Sequence, residues 1–260
     1  TQTHHTLIHE ARHQFFAHTH GKAEGLIADE LRASWQRCQD AGLVTSATNH
    51  AAHLPITDFP RLLTCHQSLL EHARGVMHHV FGQMEQSSSV VALADRNGTL
   101  LHPVGETDYL QRVALAGMTE GACWRENVRG TNALGTCLHE QRPVEISGAE
   151  HYSETLAFLT SCAAPIFDPQ GRLMAALCIG ENYRAYQHNS IGLVRVAAQM
   201  IEKRLFKAEF GQQIVLGLHP EAEYAGSLVA GLVACTAEGQ VMGMNQPGLN
   251  LLGIFRDNLM

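Results

Sequence analysis

Two apolar hairpins set between two long helical stripes decide what this chain can fold into. The first hairpin pairs residues 90–94 with 99–102 across the turn Asp95-Arg96-Asn97-Gly98. The second pairs 160–167 with 172–180 across Asp168-Pro169-Gln170-Gly171. Each turn begins on Asp and ends on Gly, the residues that bond back to their own backbone and accept a left-handed conformation. Before the first hairpin, Leu62, Leu63, Leu69, Leu70, Val76, Met77, Val80 and Phe81 recur at helical spacing over residues 58–84, with Asp58 as a cap and Pro60 in the first turn. After the second, Leu193, Ala197, Met200, Ile201 and Leu205 share one face of a helix over 190–210. Hairpins imply antiparallel pairing, and the stripes need an apolar surface to cover. The fold class expected is therefore α+β, an antiparallel sheet flanked by helices.

The rest of the chain fits around this unit. Ile27, Leu31, Trp35 and Cys38 predict an amphipathic helix over 22–42 that stops at Gly42, followed by a connector over 43–57. A helix over 108–116 and a short strand over 142–147 complete the unit. The expected organisation is an N-terminal helical segment (1–85), the α+β unit (86–210), a linker (211–226) and a further unit (227–260). That last piece reads as strand, a turn at Glu238-Gly239, strand and then a helix over 246–252. It is too short to close a core and is read as the truncated start of another domain.

Composition excludes several functions. The formal net charge is −7 and no Lys/Arg cluster stands out, so direct binding to nucleic acid is not expected. No apolar run approaches the roughly 20 residues of a membrane helix. Seven scattered cysteines with no CxxC pair suit free thiols in a reducing cytoplasm.

Three motifs have sharp and bland readings. His9-Glu10-Ala11-Arg12-His13 is a literal HExxH, which on a helix would offer two zinc ligands and a general base. Its polar N-terminal setting, and Phe16 and Thr19 where a longer zinc pattern needs Gly and His, favour a solvated arm. Gly130-Thr131-Asn132-Ala133-Leu134-Gly135-Thr136 looks like a phosphate loop but lacks the lysine. It reads as a loop entering a helix, with Thr131 or Asn132 as cap. Cys123, Cys137, Cys162 and Cys178 match no ligand spacing and read as small apolar side chains. There is no GxSxG and no carboxylate pair marked by spacing. No metal and no cofactor are expected.

Several ordered segments carry a resemblance. They are Ser34-Trp35-Gln36-Arg37-Cys38, Cys123-Trp124-Arg125-Glu126, the 130–136 loop, Arg142-Pro143-Val144, Gly148-Ala149-Glu150-His151, Ser161-Cys162-Ala163-Ala164-Pro165-Ile166, Asp168-Pro169-Gln170-Gly171 and Ala197-Ala198-Gln199-Met200-Ile201-Glu202. Together they resemble the GAF sensor domain, with its preceding helix, of sigma-54-dependent activators of the acetoin and dihydroxyacetone regulator type. The unit from 228 resembles the opening of a PAS domain. The resemblance spans most of residues 26–252. It implies a non-enzymatic, cytoplasmic sensor that binds a small hydroxy- or keto-compound or a partner protein. DNA and RNA polymerase would be reached only through an ATPase and a DNA-binding part, neither of which this sequence shows. A homodimer through the long helices is expected.

Within such a pocket, Trp124 would form a wall, and Glu126, Asn132, His151 and Thr160 would hydrogen-bond the ligand. Thr131 and Thr136 would stand at the helix entry, and Cys162 completes the ligand-binding set. If Glu126 is buried it needs a donor of its own, which Arg125 or Arg129 could provide only if the loop folds back. Two rivals stay open. One is a GAF-fold thiol reductase of free methionine sulfoxide using Cys123, Cys137 and Cys162. The other is a docking module whose pocket is filled by its own side chains.

Overall fold

The computed structural model describes residues 2–16, 27–46, 52–84, 88–183 and 189–254. The start of the predicted 22–42 helix (22–26), part of the 43–57 connector (47–51) and residues 85–87 lie outside them.

The central sheet has five antiparallel strands in the order β2-β1-β5-β4-β3. They are β1 (Ser89–Asp95), β2 (Leu100–Gly105), β3 (Val144–Ser147), β4 (Leu159–Phe167) and β5 (Leu173–Asn182). Both predicted hairpins form, and β1 pairs with β5 to join them. The turn chemistry is the same in each. Asp95 Oδ1 accepts from the backbone N–H of Asn97 and Thr99, and Asp168 Oδ1 from those of Gln170 and Arg172. Gly98 and Gly171 close the turns at φ +74° and +79°.

Helices cover both faces, which is why the inner strands are apolar throughout rather than alternating. Val90, Ala92 and Ala94 of β1 point into one core layer and Val91 and Leu93 into the other. The second layer is closed by α4 (Gln67–Phe81) and α8 (Ser190–Phe210). Leu69, Leu70, Val76, Met77 and Val80 of α4 and Val194, Ala197, Ile201 and Leu205 of α8 are buried there. The outward positions of α4 are polar, among them Glu71, Arg74, His78 and His79. The buried parts of both stripes pack on the sheet, while Leu193 and Met200 of α8 stay half-buried and Val196 exposed.

The first layer is closed by α2 (Asp29–Asp40), α5 (Thr107–Leu115), α6 (Glu126–Arg129) and α7 (Ala133–Glu140), with α1 (Gln2–Phe16) laid across it. The N-terminal segment is therefore not a separate piece: Ile8, Leu31, Trp35 and Cys38 belong to the same core as Trp124, Leu134 and Tyr152.

Three expectations change. The 58–84 helix is two, α3 (Phe59–Cys65) and α4, broken at His66, and Asp58 makes no side-chain capping bond. No residue of α3 is fully buried, and only Leu62 and Leu63 pack, half-buried, against the layer that α4 closes. Residues 211–226, read as a linker, hold strand β6 (Ile214–Leu218). It pairs with β7 (Gly231–Cys235), which pairs with β8 (Val241–Met244), followed by α9 (Gln246–Leu252). Ile214, Val215 and Leu216 are exposed on this strand, leaving no periodic buried set for a sequence reading to find. Finally, the N-terminal arm is a helix whose Ile8 and Ala11 are buried while His9, Glu10 and His13 face outward. The described residues contain no helix long and apolar enough to cross a membrane.

Candidate functional site

The turn between α6 and α7 gathers most of the polar residues singled out from the sequence. Glu126 opens α6, and its carboxylate is 7% exposed. Its charge is met from α2, not by either arginine beside it. Arg37 Nε donates to Oε2 at 2.7 Å and Arg37 Nη2 to Oε1 at 3.0 Å. Ser34 Oγ and Thr136 Oγ1 also donate to Oε1, at 2.6 and 2.7 Å. Ser34 has one proton and gives it to Glu126, so Thr131 must donate to Ser34 across their 2.7 Å contact. The Cys38 thiol completes the chain at 3.5 Å from Thr131 Oγ1, with burial pushing it up to about 11. Arg37 Nη2 reaches on to Glu140 at the end of α7. Burial alone would raise the Glu126 pKa. The bonds from Arg37, Ser34 and Thr136 and the charge of Arg37 outweigh it, and the carboxyl sits below the usual range.

The flanking arginines have other tasks. Arg125 donates to Asn97 Oδ1. Arg129 lies 4.9 Å over the Trp124 ring and bonds the Ala116 carbonyl. Trp124 is buried, and its indole N–H already donates to Gly117 O. Asn132 is the N-cap of α7: its Oδ1 accepts from Gly135 N–H at 2.8 Å, and its Nδ2 donates to the carbonyls of Trp124 and Gly130. Asn132→Ala is expected to cost about 1–2 kcal/mol, read as a lower urea midpoint, because the cap and two buried carbonyls lose their partner together.

His151 lies apart from this network, in the segment 148–156 that follows β3. It is 1% exposed, and its Nδ1 is 3.0 Å from the Gly148 carbonyl. A carbonyl only accepts, so Nδ1 carries the proton and Nε2 presents a bare lone pair. Nε2 is buried without a hydrogen-bond partner. Burial pushes the imidazole down to about 4, helped by the charge of Arg12 and opposed by the Gly148 bond, so the ring is neutral. Arg12 of α1 closes over the same segment, donating to the carbonyls of His151 and Tyr152 at 2.6 and 2.7 Å. Within the HExxH sequence, Ala11 and Arg12 thus face inward.

Thr160 and Cys162 are not brought to this side. Cys162, Ala164 and Ile166 of β4 point into the layer beneath α4 and α8, while Ala163 points into the layer beneath α7. Strand alternation places Thr160 with Cys162, where Thr160 Oγ1 meets Ser147 Oγ at 2.8 Å and the Cys162 thiol meets Glu145. The sheet therefore separates Cys162 from Cys137, which lies in the other layer beside Cys178. Burial pushes both of these thiols up, Cys178 to about 12. Cys137 and Cys162, on opposite faces of the sheet, do not form a nucleophile and its resolving partner.

Sequence reasoning missed Ser34, Arg37 and Cys38 as partners of Glu126, although their spacing puts all three on one helical face. It also missed Tyr109 of α5, whose hydroxyl is buried without a partner.

The comparisons with known proteins agree with this architecture. The chain is 31% identical over 223 residues to the acetoin catabolism regulatory protein of Cupriavidus necator, a match covering 83% of this chain and 33% of that protein. It is 26% identical over 224 residues to the acetoin dehydrogenase operon transcriptional activator AcoR of Bacillus subtilis, covering 86% and 37%. The chain thus spans about a third of the length of these curated relatives, which are named as transcriptional regulators and activators rather than enzymes. Among solved structures, that of the E. coli DhaR(N)–DhaL complex superposes with a TM-score of 0.68 at 17% identity, covering 88% of this chain and 78% of that one. The family model described as "MimR, N-terminal domain" matches residues 4–203, and the chain belongs to that family.

Proposed function

We propose that this chain is the effector-sensing module of a bacterial transcriptional activator, and that it binds a small hydroxy- or keto-metabolite in the core layer beneath α5 and the 148–156 segment. The observation that carries this reading is the buried, unpartnered Nε2 of His151. The unpartnered hydroxyl of Tyr109, in the core layer that also holds Tyr152, the residue after His151, supports it. Each such atom costs about 1–3 kcal/mol while unsatisfied. One needs a donor and the other an acceptor. A ligand hydroxyl can do both, and a keto oxygen can accept from Tyr109. Arg12 ties α1 to the carbonyls of His151 and Tyr152, so a ligand that shifts this segment changes how well α1 is held. That differential is what a sensor requires.

In this reading the module acts in the cytoplasm and controls an ATPase and a DNA-binding part carried elsewhere in a longer protein. The sheet of β6, β7 and β8 is the start of a PAS-like unit, and the working form is a homodimer. The buried parts of the α4 and α8 stripes do not support the dimer, since they pack on the sheet.

The test is a thermal-shift screen of short diols, hydroxyketones and ketones. A ligand at about 100 times its dissociation constant should stabilise by about 2.7 kcal/mol. His151→Ala and Tyr109→Phe should each stay folded and weaken that ligand about tenfold, the value of one buried hydrogen bond. A panel with no hit, or variants that bind as tightly as the parent, would defeat the reading.

A second reading is docking of a partner protein. It is favoured by one observation: the polar groups of Glu126, Thr131, Asn132 and Thr136 are occupied within the fold. DhaR(N), which shares the fold, was crystallised with the protein DhaL. A screen without hits combined with capture of a defined partner would favour this alternative.

A further inference from the structure

We propose that the cleft bounded by Arg37, Arg96 and Arg125 is a binding site for a small phosphomonoester or inorganic phosphate. Three arginines line this cleft of about 250 Å³, from α2, the β1–β2 turn and the position that precedes α6. The one carboxylate lining it is Glu126. Both oxygens of Glu126 are already filled by Arg37, Ser34 and Thr136. With Glu140, which Arg37 also meets, three positive charges stand against two negative and leave the cluster at a formal +1, in a chain whose net charge is −7.

The donors are available as well as charged. Arg37 uses Nε and Nη2 and leaves Nη1 over. Arg125 spends only one N–H, on Asn97, and this bond holds its side chain against the turn, where its Cγ packs on Gly98. Arg96 follows Asp95 in that turn, is exposed, and makes no ion pair among the described residues. Forked N–H donors match tetrahedral and planar oxyanions, and several forks around one site favour a dianion over a monoanion. The volume falls below the ~300–1,000 Å³ of sites for drug-sized ligands, which selects a phosphate bearing few carbons. The surrounding negative charge excludes a long polyanion such as nucleic acid.

The site does not depend on His151 or Tyr109 and stands independently of the effector reading. Isothermal titration of the whole chain with sodium phosphate and with glycerol 3-phosphate, at constant ionic strength and with acetate as a monoanion control, tests it. Both phosphates should bind and acetate should not. Tighter binding of glycerol 3-phosphate would make an organic phosphomonoester the ligand, and equal binding would make phosphate itself the ligand. Arg96→Ala and Arg125→Ala should each raise the dissociation constant about tenfold while leaving the melting temperature without phosphate unchanged, and His151→Ala should leave phosphate binding intact. Absence of binding by the parent chain would overturn the proposal. So would equal binding by the Arg96 and Arg125 variants.

Discussion

Glu126→Ala is expected to lower stability by about 3 kcal/mol, because it removes the buried acceptor shared by Arg37, Ser34 and Thr136. Four donor atoms from α2 and α7 converge on this carboxylate, and Ser34 and Thr136 are 0% and 2% exposed. Losing one partner of a buried ion pair costs about 3–5 kcal/mol in general. The lower end applies here because Arg37 keeps Glu140 and some contact with solvent. Glu126→Gln keeps the shape but sets an amide N–H₂ against other donors, and should cost about 2 kcal/mol. Chemical denaturation of both variants measures this, and a loss below about 0.5 kcal/mol for Glu126→Ala would show that the network contributes little.

The same carboxylate makes stability depend on pH. Its folded pKa lies below the ordinary value, about 4.3 for an unperturbed glutamate. A group depressed in this way is charged in both states at neutral pH, where its full contribution to stability is present. As pH falls below about 4.3 the unfolded state takes up the proton first, and the contribution is lost as pH drops through the folded value. The parent should therefore lose more stability than Glu126→Gln between about pH 5 and pH 3. Parallel curves for the two proteins over that range would contradict the assignment.

Gly135→Ala is the second large effect, and its sign opposes helix propensity. Gly135 lies in the first turn of α7, where Ala would ordinarily gain about 1 kcal/mol. A methyl there would stand 2.5 Å from Trp124 O, 2.8 Å from Glu126 N and 2.9 Å from Asn132 Nδ2. Two of these are backbone atoms and the third is a capping amide with three hydrogen bonds, so none can step aside cheaply. Overpacking against such neighbours costs about 3 kcal/mol, which for a chain of this size lowers the melting temperature by roughly 6–12 °C. Gly192 of α8 is the control. It has no neighbour within 4 Å of the added methyl, so Gly192→Ala should raise stability by about 0.5–1 kcal/mol. If both substitutions stabilise, the close packing of the α6–α7 turn is wrong.

The candidate site was legible in part. Glu126, Thr131, Asn132 and Thr136 do lie together, yet they were read as groups facing a ligand. The structure has them facing one another and α2. The reason lies in a separation of 89 residues between Arg37 and Glu126: no spacing rule connects them. With Arg37 unseen, Arg125 and Arg129 were the nearest cations along the chain. Their side chains go instead to Asn97 and to the Trp124 ring with the Ala116 carbonyl.

What the sequence by itself determined are the features set by a few consecutive residues. The Asp-to-Gly turns at 95–98 and 168–171, the apolar runs they join, the helix over 190–210 and a cap at Thr131 or Asn132 all follow from turn chemistry and periodicity, which act locally. Only the tertiary structure decided the strand order β2-β1-β5-β4-β3, which layer receives each side of a strand, and the docking of α1 and α2 onto the first layer. Alternation puts Thr160 and Cys162 on one face and Ser161 and Ala163 on the other, but it is silent on which face meets α7. That choice rests on contacts between residues far apart in the chain, where burial and hydrogen bonding, rather than local propensity, select the partner.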